Sequence, residues 1–158
     1  MRSFQLLVFV VVFYSCHQSA SSLSATQKNN ISGEIKQTLA GYYSDIEKDG
    51  LLAEFKYLDS SSDFFWVPPG FTSSISFDSV AAILKKNAPL LRSVINSWNT
   101  LQIFPISEEL ATYSGKLHSK IIDTTGKMSE TDLIESGVII KRAGKWKLLC
   151  GQTSVINP

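Results

Sequence analysis

Glu135 and Gln152 are the first pair in this sequence whose types and spacing suggest chemistry. Both fall in strand-forming stretches, 129–142 and 145–156, joined by Ala143-Gly144. Strand alternation puts Trp146, Leu148, Cys150, Gln152 and Ser154 of "GKWKLLCGQTSVINP" on one face. A two-residue turn at Ala143-Gly144 pairs Arg142 with Lys145 and sets the register. Trp146 then opposes Lys141, Leu148 opposes Ile139, and Cys150 opposes Gly137. Gln152 meets Glu135, and Ser154 meets Leu133. A buried polar group left unpaired costs about 1–3 kcal/mol, so amide and carboxylate would satisfy each other and leave acceptors for a ligand. The same pair at a wet end of the sheet would simply be solvated.

A carboxyl in an apolar hollow has its pKa raised and can act as a general base, given a donor for the developing oxyanion. Glu135 is the base candidate. Tyr42, which follows the buried stripe of the first helix, is the candidate donor. Aromatic residues supply a wall: Phe65 and Trp66 beside Phe64, Trp98 in the strand 93–104, and Tyr113 on the inner side of the strand 109–124. Such rings also serve as ordinary core. His118 shares its face with Lys116 and Lys120, which places it in solvent or at a subunit interface. With this single histidine outside the N-terminal segment and no paired cysteines, the pattern offers no transition-metal site and implies no cofactor.

The elements that must hold these residues change period along the chain. "NNISGEIKQTLAGYYSDIEKDG" sets Ile31, Ile35, Thr38 or Leu39, Tyr42 and Ile46 on one helical stripe, with Asn30 as N-cap and Asp49-Gly50 as the stop. "LLAEFKYL" reads as a second short helix. "DFFWVPPG" reads as a strand ended by Pro68-Pro69-Gly70. Ser76 can cap a third helix, "FDSVAAILKKN", limited by Pro89. Four long strand segments follow, over 93–104, 109–124, 129–142 and 145–156, with a further turn at "TTGK". Helices first and an antiparallel meander afterwards make an α+β fold, a curved sheet with three helices on its inner face. Gly137, inside a strand, marks a bend.

Three N-terminal helices, a strand ending in a Pro/Gly turn, and long strands finishing in a Gly-Lys-Trp hairpin resemble the nuclear transport factor 2-like superfamily. The chain is most similar to its SnoaL-like and ketosteroid-isomerase-like cones. The resemblance spans about residues 31–156 and is most specific at Gly144, Trp146, Leu148, Gln152 and Ser154. It implies a cone whose cavity takes side chains from the first helix and first strand, and a dimer through the outer sheet face. It also implies a base near the first strand, where Asp63 is the only acid. Gln152 stands where histidine is common, and an amide does not titrate.

Length and composition set the remaining expectations. Arg2 and the apolar run Phe4 to Tyr14 have the layout of a secretory signal, too short to span a bilayer. Residues 1–15 are read as that signal, 16–30 as a flexible tether, and 31–158 as one domain. Cys16 is the lipidation site if a lipoprotein peptidase acts, and cleavage between Ser19 and Ala25 is the alternative. Export follows either way, to a periplasmic or membrane-tethered location or to the exterior. Without Arg2, 14 basic residues balance 14 acidic ones with no basic patch, which excludes nucleic acid as a partner. The expected partner is a small, mostly apolar ligand. The strip Ile134, Val138, Ile140, Leu149 and Val155 on the outer face adds a second copy of the chain.

Overall fold

A computed structural model describes residues 22–156. The expected signal, Cys16 and His17 lie outside the described residues. Helix α1 spans Ala25–Asp49 and carries Ile31, Ile35, Leu39, Tyr42 and Ile46 into the core, with Tyr43 added, while Thr38 is half-buried. Its start differs from the expected Asn30. Ser24 is the N-cap, its hydroxyl accepting from Gln27 N at 3.3 Å while Gln27 Oε1 accepts from Ser24 N at 2.9 Å. This reciprocal capping box satisfies two orphan donors one and a half turns earlier, so residues 25–30 are helix and not tether. Gly50, at φ 85°, ends the helix, and the second helix forms as a 3₁₀ segment over Leu51–Lys56.

Strand β1 (Phe65–Val67) is followed by α2 (Phe77–Asn87), capped as expected by Ser76, and then by β2 (Leu91–Pro105), β3 (Leu110–Asp123), β4 (Met128–Arg142) and β5 (Lys145–Val155). They form one curved, unclosed sheet in the order β1-β5-β4-β3-β2, in which β1 runs parallel to β5 and the other pairs are antiparallel. The α+β class and the inner helices agree with the sequence. So does the hairpin turn, where Ala143 at φ 48° and Gly144 at φ 76° both adopt the left-handed region.

The register of the last hairpin departs from expectation. Pairing begins with Arg142 opposite Lys145, and Ile139 faces Leu148, but Val138 then faces Cys150. Leu149 is thus an extra residue, and the slip of one reverses every later side chain of β5. Glu135 faces Thr153, Ser136 faces Gln152, and Ile134 faces Ser154. Gly151 meets Gly137 across the pair.

Those two glycines allow aromatic rings to lie directly on the sheet. A Cβ at Gly137 would stand 3.1 Å from the Tyr113 ring, and one at Gly151 would stand 2.7 Å from the Trp66 ring. Both rings can therefore cross the strands toward the cavity floor. Gly151→Ala is expected to destabilise the domain by about 1–3 kcal/mol through overpacking. Gly33→Ala, in α1 with no atom within 4 Å, is expected to stabilise it by about 0.5–1 kcal/mol. Urea denaturation of the two variants checks both signs.

Candidate functional site

The concave side of the sheet encloses a cavity of about 250 Å³ between α1, the 3₁₀ segment, the Pro68-Pro69 turn and α2. Most of its wall is hydrocarbon and aromatic, including Leu58, Phe64, Trp66, Ile75, Val80, Leu84, Val94, Leu117 and Leu148. Two carboxyl groups, Glu54 and Glu135, face into this chamber.

Glu135 sits on the inner face of β4 and is buried, at 7 % exposure. Tyr113 donates to its Oε1 at 2.8 Å, while Tyr43 and Thr153 each donate to Oε2 at 3.3 Å. Each donor has a separate structural origin. Tyr113 crosses over Gly137, Tyr43 descends from α1, and Thr153 arrives through the extra residue in β5. Against ionised Glu135, which can only accept, the Thr153 hydroxyl donates, while Trp66 Nε1 donates to the same Thr153 Oγ1 at 3.2 Å.

Among the described residues, Glu54 has one donor, Tyr42, at 2.9 Å to Oε2. Burial pushes the pKa of both carboxyls up to about 7, against the opposing effect of the hydroxyls; the charge of Glu135 lifts Glu54 further. Burial likewise raises the phenols of Tyr42, Tyr43 and Tyr113, which remain protonated donors.

The structure brings together only part of the expected site. Tyr42, Trp66 and Glu135 line the cavity. Tyr113 lies behind Glu135 as a donor, and Trp98 packs edge-on against Tyr113 with centroids 6.1 Å apart. Gln152 and Ser154 are exposed on the convex face, because the slip in β5 exchanges them for Thr153. Cys150 is turned outward by the same slip, paired with Val138, and half-buried. Val155, expected on the outer strip, faces Leu133 instead. Phe65 is 45 % exposed on the edge strand. Trp146 points inward at the far end, where its Nε1 donates to Glu34 at 2.9 Å and its ring borders a separate groove beside Lys141. The Tyr42 hydroxyl, the expected oxyanion donor, is engaged by Glu54 at 2.9 Å. Asp63 is exposed, and His118 lies on the convex face against Asp132 at 2.7 Å.

Sequence reasoning missed Glu54, Tyr43 and Thr153. Tyr43 had a readable signal, since it lies four residues after Leu39 and three before Ile46. Glu54 had none, being the lone acid in a short apolar segment.

No family model and no curated protein matches the sequence. Solved structures do match in shape. A nuclear transport factor 2-like protein from Salmonella enterica serovar Typhimurium superposes with a TM-score of 0.69 at 14% identity, over 82% of this chain and 94% of that one. The fold is the nuclear transport factor 2-like cone. A candidate scytalone dehydratase from Novosphingobium aromaticivorans has the same cone, with a TM-score of 0.71 at 12% identity, over 84% and 89% of the two chains. So does the association domain of C. elegans CaMKII, with 0.63 at 16%, over 80% and 97%. These cones thus include both an enzyme-type and an assembly-type protein, and at such identities only the fold is shared.

The raised carboxyls make stability depend on pH with a definite sign. Glu135 has a folded pKa of about 7 against an ordinary 4.5, so the native state holds a proton that the unfolded chain has lost. Its burial penalty is absent below pH 4.5 and complete above about 7. Unfolding free energy is therefore expected to fall as pH rises through this window, by up to about 1.4 kcal/mol per pH unit for each carboxyl. Denaturation curves across the window should show the decline in the wild type and a shallower one in Glu135→Gln.

Proposed function

We propose that the domain is an exported cone that binds a small, mostly apolar ligand in the Glu54–Glu135 cavity. The observation that carries this reading is the combination of an apolar chamber with a buried carboxyl held by three hydroxyls. Small-molecule sites pair hydrophobic walls with a few fixed polar groups in this way. A cavity of about 150 Å³ holds benzene, so this one suits a ligand on the order of ten non-hydrogen atoms. Export, and a lipid on Cys16 as its membrane attachment, complete the proposal.

Leu133→Trp, on the cavity wall, is expected to fill the chamber. Saturation-transfer NMR against a library of small aromatic fragments should find hits for the wild type that lose their signal with this variant. Hits unaffected by Leu133→Trp, or no hits at all, would contradict the reading.

A second reading, an isomerase- or cyclase-like enzyme, is favoured by the titration of Glu135 near neutrality, where a carboxylate can take up and return a proton. The base would be Glu135, with a cavity hydroxyl as donor. Glu135→Gln is then expected to lower turnover of an identified substrate by about 100-fold or more. The partner expected on the convex face is a second copy of the chain, through Ile134, 41 % exposed, and Phe104, 53 % exposed, which shares a rung of the sheet with Thr112 and Val138. Sedimentation should report a dimer that Ile134→Lys shifts toward monomer.

A further inference from the structure

The chemistry of the cavity identifies what kind of ligand would neutralise it. Among the described residues, no lysine, arginine or histidine lines the chamber that holds Glu54 and Glu135. Its remaining polar wall is made of hydroxyls already committed to the carboxyls, together with Ser119 and Asn96. An ionised carboxylate accepts at about four positions. Tyr113, Tyr43 and Thr153 occupy three on Glu135, while Tyr42 alone serves Glu54. Asn96 adds a buried side-chain oxygen without a partner, alongside the two N–H donors of the same amide. Once the two carboxyls ionise, above about pH 7, the chamber thus has surplus acceptors, surplus negative charge and, among the described residues, no cation.

A neutral hydroxyl would fill one acceptor and leave the charge uncompensated. An ammonium group brings three donors and a positive charge. The rings of Tyr42, Tyr43, Phe64 and Trp66 line the chamber, and an aromatic face attracts a cation. Resting on the reading that this cavity is a ligand site, we infer that its ligand is a small apolar amine, bound as the ammonium ion between Glu54 and Glu135. Its hydrocarbon part packs against Pro68, Ile75, Val80 and Leu84.

Binding then depends on pH. The groups facing the two carboxyls are Tyr42 and Tyr43 from α1, Tyr113 from β3, Thr153 from β5 and Trp66 from β1. The residues lining from α2 are Val80, Ile83 and Leu84, none of which titrates. Alkylammonium ions stay charged to about pH 10. Affinity should therefore rise as the carboxyls ionise, through about pH 7.

Calorimetric titration at about pH 8 with three near-isosteric probes tests the inference: 2-phenylethylamine, 2-phenylethanol and 3-phenylpropanoate. The amine is expected to bind about tenfold or more tightly than the alcohol, and the carboxylate not at all. Glu54→Gln and Glu135→Gln should each weaken the amine by about tenfold while leaving the alcohol within about threefold. Thermal melting checks that each variant folds, and either variant alone suffices. Equal binding of amine and alcohol, or amine binding unchanged in both variants, would overturn the cation assignment and leave the cavity as a ligand site. Failure of all three probes would overturn both readings together.

Discussion

Burying the carboxyl of Glu135 is the constraint around which the concave side of this domain is arranged. A charged group taken from water into an apolar interior costs several kcal/mol unless it is bonded or neutralised. Three hydroxyls from three different elements converge on it, and each depends on a specific local feature. Tyr113 needs the missing side chain at Gly137, and Thr153 needs the extra residue in β5. Tyr43 needs α1 rotated so that two successive tyrosines face the sheet. Trp66 then braces the Thr153 hydroxyl from the edge strand by donating to its oxygen. Removing any one of these leaves the carboxyl short of a donor, so they are coupled through a single group.

The cost remaining after these bonds is what raises the pKa to about 7. The same cost appears at Glu54, where only one donor is present. Two carboxyls within reach of each other's charge, in a chamber to which the described residues bring no cation, leave the cavity electrostatically incomplete once they ionise. That incompleteness is a property of the side chains and not of the cone. A dehydratase-type protein and a kinase association domain have the same cone, so curvature alone selects no chemistry.

Strand limits, the Ala143-Gly144 turn and the inner position of Glu135 were legible in the sequence. Their signals are local: alternation, a two-residue break and the start of an apolar run. The partner of Glu135 was not legible. Leu148, Leu149 and Cys150 are all apolar, so alternation carries no mark of the extra residue, and Gln152 for Thr153 is the direct result. The slip is visible only once Gly137, Gly151 and the two rings above them are seen in space. Glu54 escaped because its place depends on Gly50 folding the 3₁₀ segment back beneath α1. The helix start was legible in principle, since Ser24 and Gln27 have capping-box spacing, but the polar composition of residues 19–30 masked it.

The central claim is that a carboxyl on β4 is buried and held by hydroxyls, and its titration tests this most directly. Carbon-13 NMR of side-chain carboxyls, with Glu135→Gln assigning the resonance, measures the midpoint at that site. The structure predicts a midpoint near 7. A midpoint at the ordinary 4.5 would mean that the carboxyl is in water, and the cavity described here would lose its defining group.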